Sequence, residues 1–175
     1  DLRYKFILDK QKSGSPHSFI LLSYTFIIIA QMPAKCKVFR VSLENPSFLD
    51  SCTGLQNLKM IADINQRITE KELKDTLFRV GFDPEDQRKY KKYSLGMKQR
   101  LGIAAAVMEK PDLLILDEPF NALDTSGIEM VSHLLEEEKK NGALVIFSCH
   151  DNEVLKMHSD QILELSEGRM VGESD

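Results

Sequence analysis

Leu113-Leu114-Ile115-Leu116-Asp117-Glu118-Pro119 joins an apolar run to two adjacent carboxylates and a proline. A short continuous apolar run between breakers reads as a strand buried on both faces, and such strands belong to parallel sheets covered by helices. Pro111 stands just before the run and Asn121-Ala122-Leu123-Asp124 just after it, so the strand delivers both acids to its carboxyl end. Magnesium takes oxygen ligands and fills its shell with waters or substrate phosphates, so Asp117 can anchor such an ion. Glu118, one residue on, can polarise a water. Taken alone, the triplet Asp117-Glu118-Pro119 also reads as the solvated end of a buried strand.

Helix and strand signals alternate on either side. Ser94 is a good N-cap for a helix through Leu101, Ile103, Ala104, Ala105 and Val107 to Glu109, which Pro111 stops. Downstream, a helix from Gly127 to Lys140 places Met130, Leu134 and Leu135 inward and stops at Asn141-Gly142, before a strand from Ala143 to Ser148. Gln161 to Val171 reads as a hairpin turning at Glu167-Gly168. Upstream, Thr53 with Gln56 and Thr69 with Glu72 have capping-box spacing. The first of these helices carries Leu55, Leu58, Ile61 and Ala62, and the second carries Leu73, Leu77 and Val80 and ends at Gly81. The expected architecture is one α/β domain over residues 1–175, mostly parallel sheet flanked by helices, with a helical subdomain at about residues 50–105 inserted in it.

A chain of 175 residues with 42% hydrophobic and 29% charged residues is an ordinary globular composition with enough apolar material for one core. The formal net charge of -4 argues against a nucleic-acid partner, because phosphate backbones reward a basic face. The run Arg88, Lys89, Lys91, Lys92 is local and reads as solvated surface. Cys36, Cys52 and Cys149 are odd in number and spaced unlike a zinc site or a disulfide framework, which points to reduced thiols in a cytoplasmic protein. Phe19 to Ala30 is apolar but too short for a membrane-spanning helix, and its isoleucines and aromatics favour a buried strand. No small-residue cleavage site follows that run, so no cleaved leader is expected.

Two further segments offer chemistry at element ends. Ser94 and Gly96 stand at a helix start, where a hydroxyl, free backbone amides and the positive end of the helix dipole converge on an anion. Read by itself, Ser94 is only an N-cap. His150, in Ser148-Cys149-His150-Asp151, follows an apolar strand, and its ring can hold a terminal phosphate oxygen and position a hydrolytic water. A lone strand-end histidine also serves structure alone. His17, His133 and His158 have no such context.

The order Tyr93-Ser94-Leu95-Gly96-Met97-Lys98-Gln99-Arg100, then Asp117-Glu118, then His150 resembles the ATP-binding subunits of ABC transporters, from about Leu43 to the C-terminus. The usual Leu-Ser-Gly-Gly-Gln signature reads Tyr-Ser-Leu-Gly-Met here, a variant similar to the bacitracin, lantibiotic and multidrug exporter branch. The resemblance implies a P-loop NTPase-like fold, ATP and Mg2+ as cofactors, and Asp117 as the metal ligand. It implies Glu118 as the catalytic base and His150 as the switch histidine. Ser94 and Gly96 would complete the ATP site of a second subunit packed head to tail, and Asp124 would lie along that contact. Glu44, in Glu44-Asn45-Pro46-Ser47-Phe48, falls where the family has a nucleotide-sensing loop, usually opened by glutamine; a proline-containing surface loop is the plainer reading. A membrane-spanning transporter subunit is the implied partner, and the inner face of the cell membrane the implied location.

The chain contains no G-x-x-x-x-G-K-[ST] loop to cradle the phosphates, and Asp1 to Val41 hold no phosphate-binding glycine pattern. The N-terminal part is therefore expected to be incomplete or atypical, either beginning after that loop or carrying unrelated sequence in its place. Three other roles stay open on these residues. They are a non-hydrolysing subunit that completes a partner's site, an ABC ATPase acting on DNA or ribosomes, and an inactive truncated fragment. The acidic balance weighs against the second, and the third would leave sheet edges and apolar surface exposed.

Overall fold

The acidic strand lies in the middle of a three-stranded parallel sheet in the computed structural model, which describes residues 39–42, 48–149, 151–166 and 169–174. Strands β1 (Phe39–Ser42), β2 (Leu113–Leu116) and β3 (Leu144–Phe147) pair in the order β1-β2-β3. Their register sets Ser42 beside Leu116 and Leu116 beside Phe147, so the carboxyl ends are level. Every residue of β2 is buried, which explains its unbroken apolar sequence: it has a strand on each edge and packed elements over its faces.

Helices α1 (Gly54–Asn65) and α2 (Glu70–Arg79) both begin with the capping boxes expected of Thr53–Gln56 and Thr69–Glu72. Gly81 ends the second helix at φ +72, and a Cβ there would stand 2.6 Å from the Met130 methyl and 2.7 Å from an Arg100 nitrogen. The two helices pack on each other and on α3 (Leu95–Val107). Helix α3 buries Gln99, Leu101, Gly102, Ile103, Ala104, Ala106 and Val107 on nearly all sides, because it also packs on β1, β2 and the later helix α4 (Thr125–Lys140).

An aromatic relay fixes where α3 starts. Phe48 meets Tyr90 edge-on at 5.3 Å, Tyr90 meets Tyr93 at 5.8 Å, and Tyr93 meets Phe82 at 5.3 Å. The Tyr93 hydroxyl accepts the Gly54 amide at 3.0 Å, one of the donors that a helix start leaves over. Tyr93, the residue before the α3 cap, is thereby set against the start of α1.

Several boundaries differ from the sequence reading. Helix α3 stops at Val107 rather than Glu109, with Met108 as its cap and Lys110 at φ +50 ahead of Pro111. Helix α4 starts at Thr125, two residues before Gly127, because Asp124 caps it. Strand β1 and helix α5 (Asn152–His158) were not expected from local pattern. Strands β4 (Ile162–Ser166) and β5 (Arg169–Ser174) form the expected antiparallel hairpin, with Ser166 opposite Arg169 and a register shift at Glu164/Leu165. The strand expected at Phe19–Ala30 lies outside the described residues.

Candidate functional site at the carboxyl edge of the sheet

Because β2 and β3 end level, the residues that follow them are neighbours. Ser148 continues the ladder, its amide donating to the Leu116 carbonyl at 3.0 Å. Its side chain then joins both acids of the quoted stretch. The Glu118 amide donates to Ser148 Oγ at 2.9 Å, and Ser148 Oγ donates its one proton to Asp117 Oδ1 at 2.7 Å. The direction of each bond is fixed, since a peptide N–H only donates and an ionised carboxylate only accepts. One hydroxyl therefore orients the Asp117 carboxylate and the Glu118 backbone together.

Glu118 is buried and has φ +50, a left-handed backbone that costs a residue with a side chain about 1–3 kcal/mol. Its peptide is held on both sides. The carbonyl accepts Gln99 Nε2 at 2.9 Å and the Asn121 amide at 3.1 Å, while the amide is held by Ser148. The loop turns left-handed again at Ala122, φ +60. Phe120 anchors it by stacking on His158 at 5.7 Å and meeting Phe147 edge-on at 5.5 Å. His158 also lies 3.2 Å from Ser132 Oγ, a structural role that gives α5 its place against the loop.

Ser94 is exposed and caps α3, its Oγ accepting the Met97 amide at 3.2 Å. The Leu95 and Gly96 amides belong to the first turn, where a helix leaves donors for an anion. Gly96 is required by close approach: a Cβ would stand 2.7 Å from the Ala122 carbonyl oxygen. The first turn of α3 thus lies directly against the loop that follows the acids. Asp124 is committed to α4, where its Oδ1 accepts the Gly127 amide at 2.8 Å and the Ser126 hydroxyl at 3.1 Å. The Gly127 amide, then Ser126, hold its carboxyl below the usual aspartate range.

Asp117 and Glu118 are thus brought together, and Ser94 and Gly96 share one helix start beside their loop. Glu44 and His150 lie outside the described residues. Sequence reasoning missed Ser148 and Gln99 as site members, although Ser148 stands in the same strand-end motif that drew attention to His150. Among the described residues no group of three or more His, Cys, Asp or Glu side chains could hold a metal ion alone. One carboxylate at a sheet edge suits Mg2+, whose remaining ligands come from phosphate oxygens and water. Among the described residues no helix is long and apolar enough to cross a membrane.

Known proteins are similar to this chain in sequence and in fold. A family model described as ABC transporter matches residues 27–121, beginning upstream of the Leu43 boundary read from the motifs. The uncharacterized ABC transporter ATP-binding protein YybJ of Bacillus subtilis (strain 168) is 41% identical over 128 residues, 73% of this chain and 59% of YybJ. The bacitracin transport ATP-binding protein BcrA of Enterococcus faecalis is 40% identical over 132 residues, 75% of this chain and 43% of BcrA. The lantibiotic transport ATP-binding protein SrtF of Streptococcus pyogenes is 34% identical over 133 residues, 76% of this chain and 58% of SrtF. The chain therefore spans between 43% and 59% of these relatives' lengths. Among solved structures, the dimeric bacterial ABC transporter cassette MJ0796 superposes with a TM-score of 0.79 at 20% identity, over 98% of this chain and 84% of that one. Its post-hydrolysis state bound to ADP and Pi gives 0.78 at 18% identity, with the same coverage. The fold is that of the P-loop NTPase cassettes, as the resemblance implied.

Proposed function

We propose that this chain, which belongs to the ABC transporter family, is an ATP-binding and hydrolysing subunit that couples nucleotide-driven dimerisation to transport by a separate membrane-spanning subunit. The observation that carries this reading is the Ser148 hydroxyl set between the Asp117 carboxylate and the Glu118 amide at the carboxyl edge of a parallel sheet. Ligands of open α/β sheets bind at that edge. Asp117 would hold Mg2+, and Glu118 would accept a proton from the attacking water. Mg2+ held there would supply neutralising charge to the nucleotide phosphates. Ser94 and the first-turn amides of α3 would meet the phosphates of a second subunit's nucleotide, packed head to tail, with Asp124 along the contact. His150 is assigned the terminal phosphate and Glu44 the nucleotide-sensing loop.

The kinship with BcrA and SrtF supports an exporter-type assembly at the inner face of the cell membrane. Titration of the purified chain with ATP tests the reading. Binding should require Mg2+, and Asp117→Asn should weaken it about tenfold or more, as the loss of a metal ligand does. Equal binding by both proteins, or binding indifferent to Mg2+, contradicts the assignment. A second reading rests on the exposed, Ser94-capped start of α3 alone: a non-hydrolysing subunit that only completes a partner's site through Ser94 and Gly96. That reading requires no ATP binding by the chain alone and restored turnover when a second ATP-binding subunit is added.

A further inference from the structure

Gln99 is buried in the first half of α3, among Leu101, Gly102 and Ile103, where a carboxamide is costly unless paired. Its partner is not in its own helix. Nε2 reaches the main-chain oxygen of Glu118, 19 residues away, at 2.9 Å. That oxygen belongs to a residue at φ +50, and a left-handed backbone persists only while its surroundings hold it. Rotation of that backbone would swing Cβ and the carboxylate away from their present direction. Ser148 holds the amide side of Glu118, and Gln99 with the Asn121 amide holds the carbonyl side.

We propose that Gln99 is a positioning residue for Glu118, and that through it helix α3 sets the direction of the catalytic carboxylate. The proposal rests on the reading of Glu118 as general base. It gives α3 two tasks: its exposed N-terminal end carries Ser94, and Gln99, just after the first turn, grips the chain's own acidic loop. A ligand that shifts the first turn would then be felt at Glu118.

Gln99→Met keeps the shape and removes the donor. In the nucleotide-free full chain, hydrogen exchange at the Glu118 and Asn121 amides should become about tenfold faster, with Leu73 and Leu77 unchanged. In MgATP turnover, kcat should fall about tenfold or more while KM stays within about twofold. Gln99→Glu adds a readout that a merely structural role would not move. As a carboxylate it repels the Glu118 carbonyl, and once protonated it donates to it, so its rate relative to the parent should recover as pH falls. Should Gln99→Met fail to fold, Gln99→Glu decides by the same exchange and pH profile. Unchanged exchange in folded variants, a flat pH ratio, or a raised KM with unchanged kcat would overturn the proposal. A parent chain that turns over no ATP would instead count against the proposed function, leaving exchange at Glu118 and Asn121 to decide the role of Gln99.

Discussion

Ser148 shows how one side chain can serve two acids. Its oxygen takes the Glu118 amide and its proton goes to Asp117, so Ser148→Ala strips both of an orienting partner. The buried Glu118 amide would lose its acceptor, at a cost of about 1–3 kcal/mol. For a protein of this size we expect Tm to drop about 2–4 °C per kcal/mol, with ATP turnover falling further than stability explains. Thermal unfolding and single-turnover hydrolysis read the two effects, and Ser148→Thr, which keeps the hydroxyl, should restore most of both. At this scale the acids were legible because they are adjacent and end an apolar run. Ser148 and Gln99 were not, because their partners lie 30 and 19 residues away and only the tertiary fold brings them together.

Caps decide where the elements begin. The Gly127 amide, followed by Ser126, draws the Asp124 carboxyl below the ordinary value of 3.8, so this cap contributes stability above that pH and loses it as pH falls through the lowered native value. The Thr69 amide and hydroxyl act in the same direction on Glu72 at the start of α2. Asp124→Asn keeps a side-chain oxygen without the titrating charge. Its Tm deficit relative to the parent should therefore shrink below about pH 4, the range in which aspartates protonate, and a scan of Tm against pH checks this. Capping boxes, the αL glycine after α2 and the buried strands were readable because their signals lie within a few residues. The four-residue β1 and seven-residue α5 were not: each is placed by what it packs or pairs with rather than by its own periodicity. Asp124, a contact-loop residue in the family resemblance, also caps α4, which explains the helix's earlier start.

Across the whole molecule, α2 is tied to α4 by one guanidinium. Arg79 Nη2 donates to Glu138 at 2.7 Å and to Glu137 at 2.9 Å, and the Glu138 side chain is only 2% exposed. Removing the cation would strand a buried carboxylate. Arg79→Met should cost about 2 kcal/mol, less than a fully buried pair because Arg79 is 31% exposed, and adding Glu138→Gln should recover most of that loss in urea unfolding. Arg100 makes a second tie, donating to the Val80 carbonyl at 3.3 Å while stacking over Phe82. These contacts join the helical layers to the frame that carries the acidic loop. The alternating order of helix and strand made the α/β class legible, whereas the interlocking of α2, α3 and α4 draws on the long-range contacts of Arg79 and Arg100, which no local pattern announces.

Under the proposed function, Glu118 serves a nucleotide-hydrolysing site shared between two head-to-tail subunits. Light scattering of Glu118→Gln with MgATP tests it most directly, because removing the base should leave ATP uncleaved and the dimer trapped. The variant should show a mass of about twice the chain's 19.9 kDa, while the parent returns to monomer as it consumes ATP. A variant that stays monomeric and hydrolyses ATP as fast as the parent would contradict it.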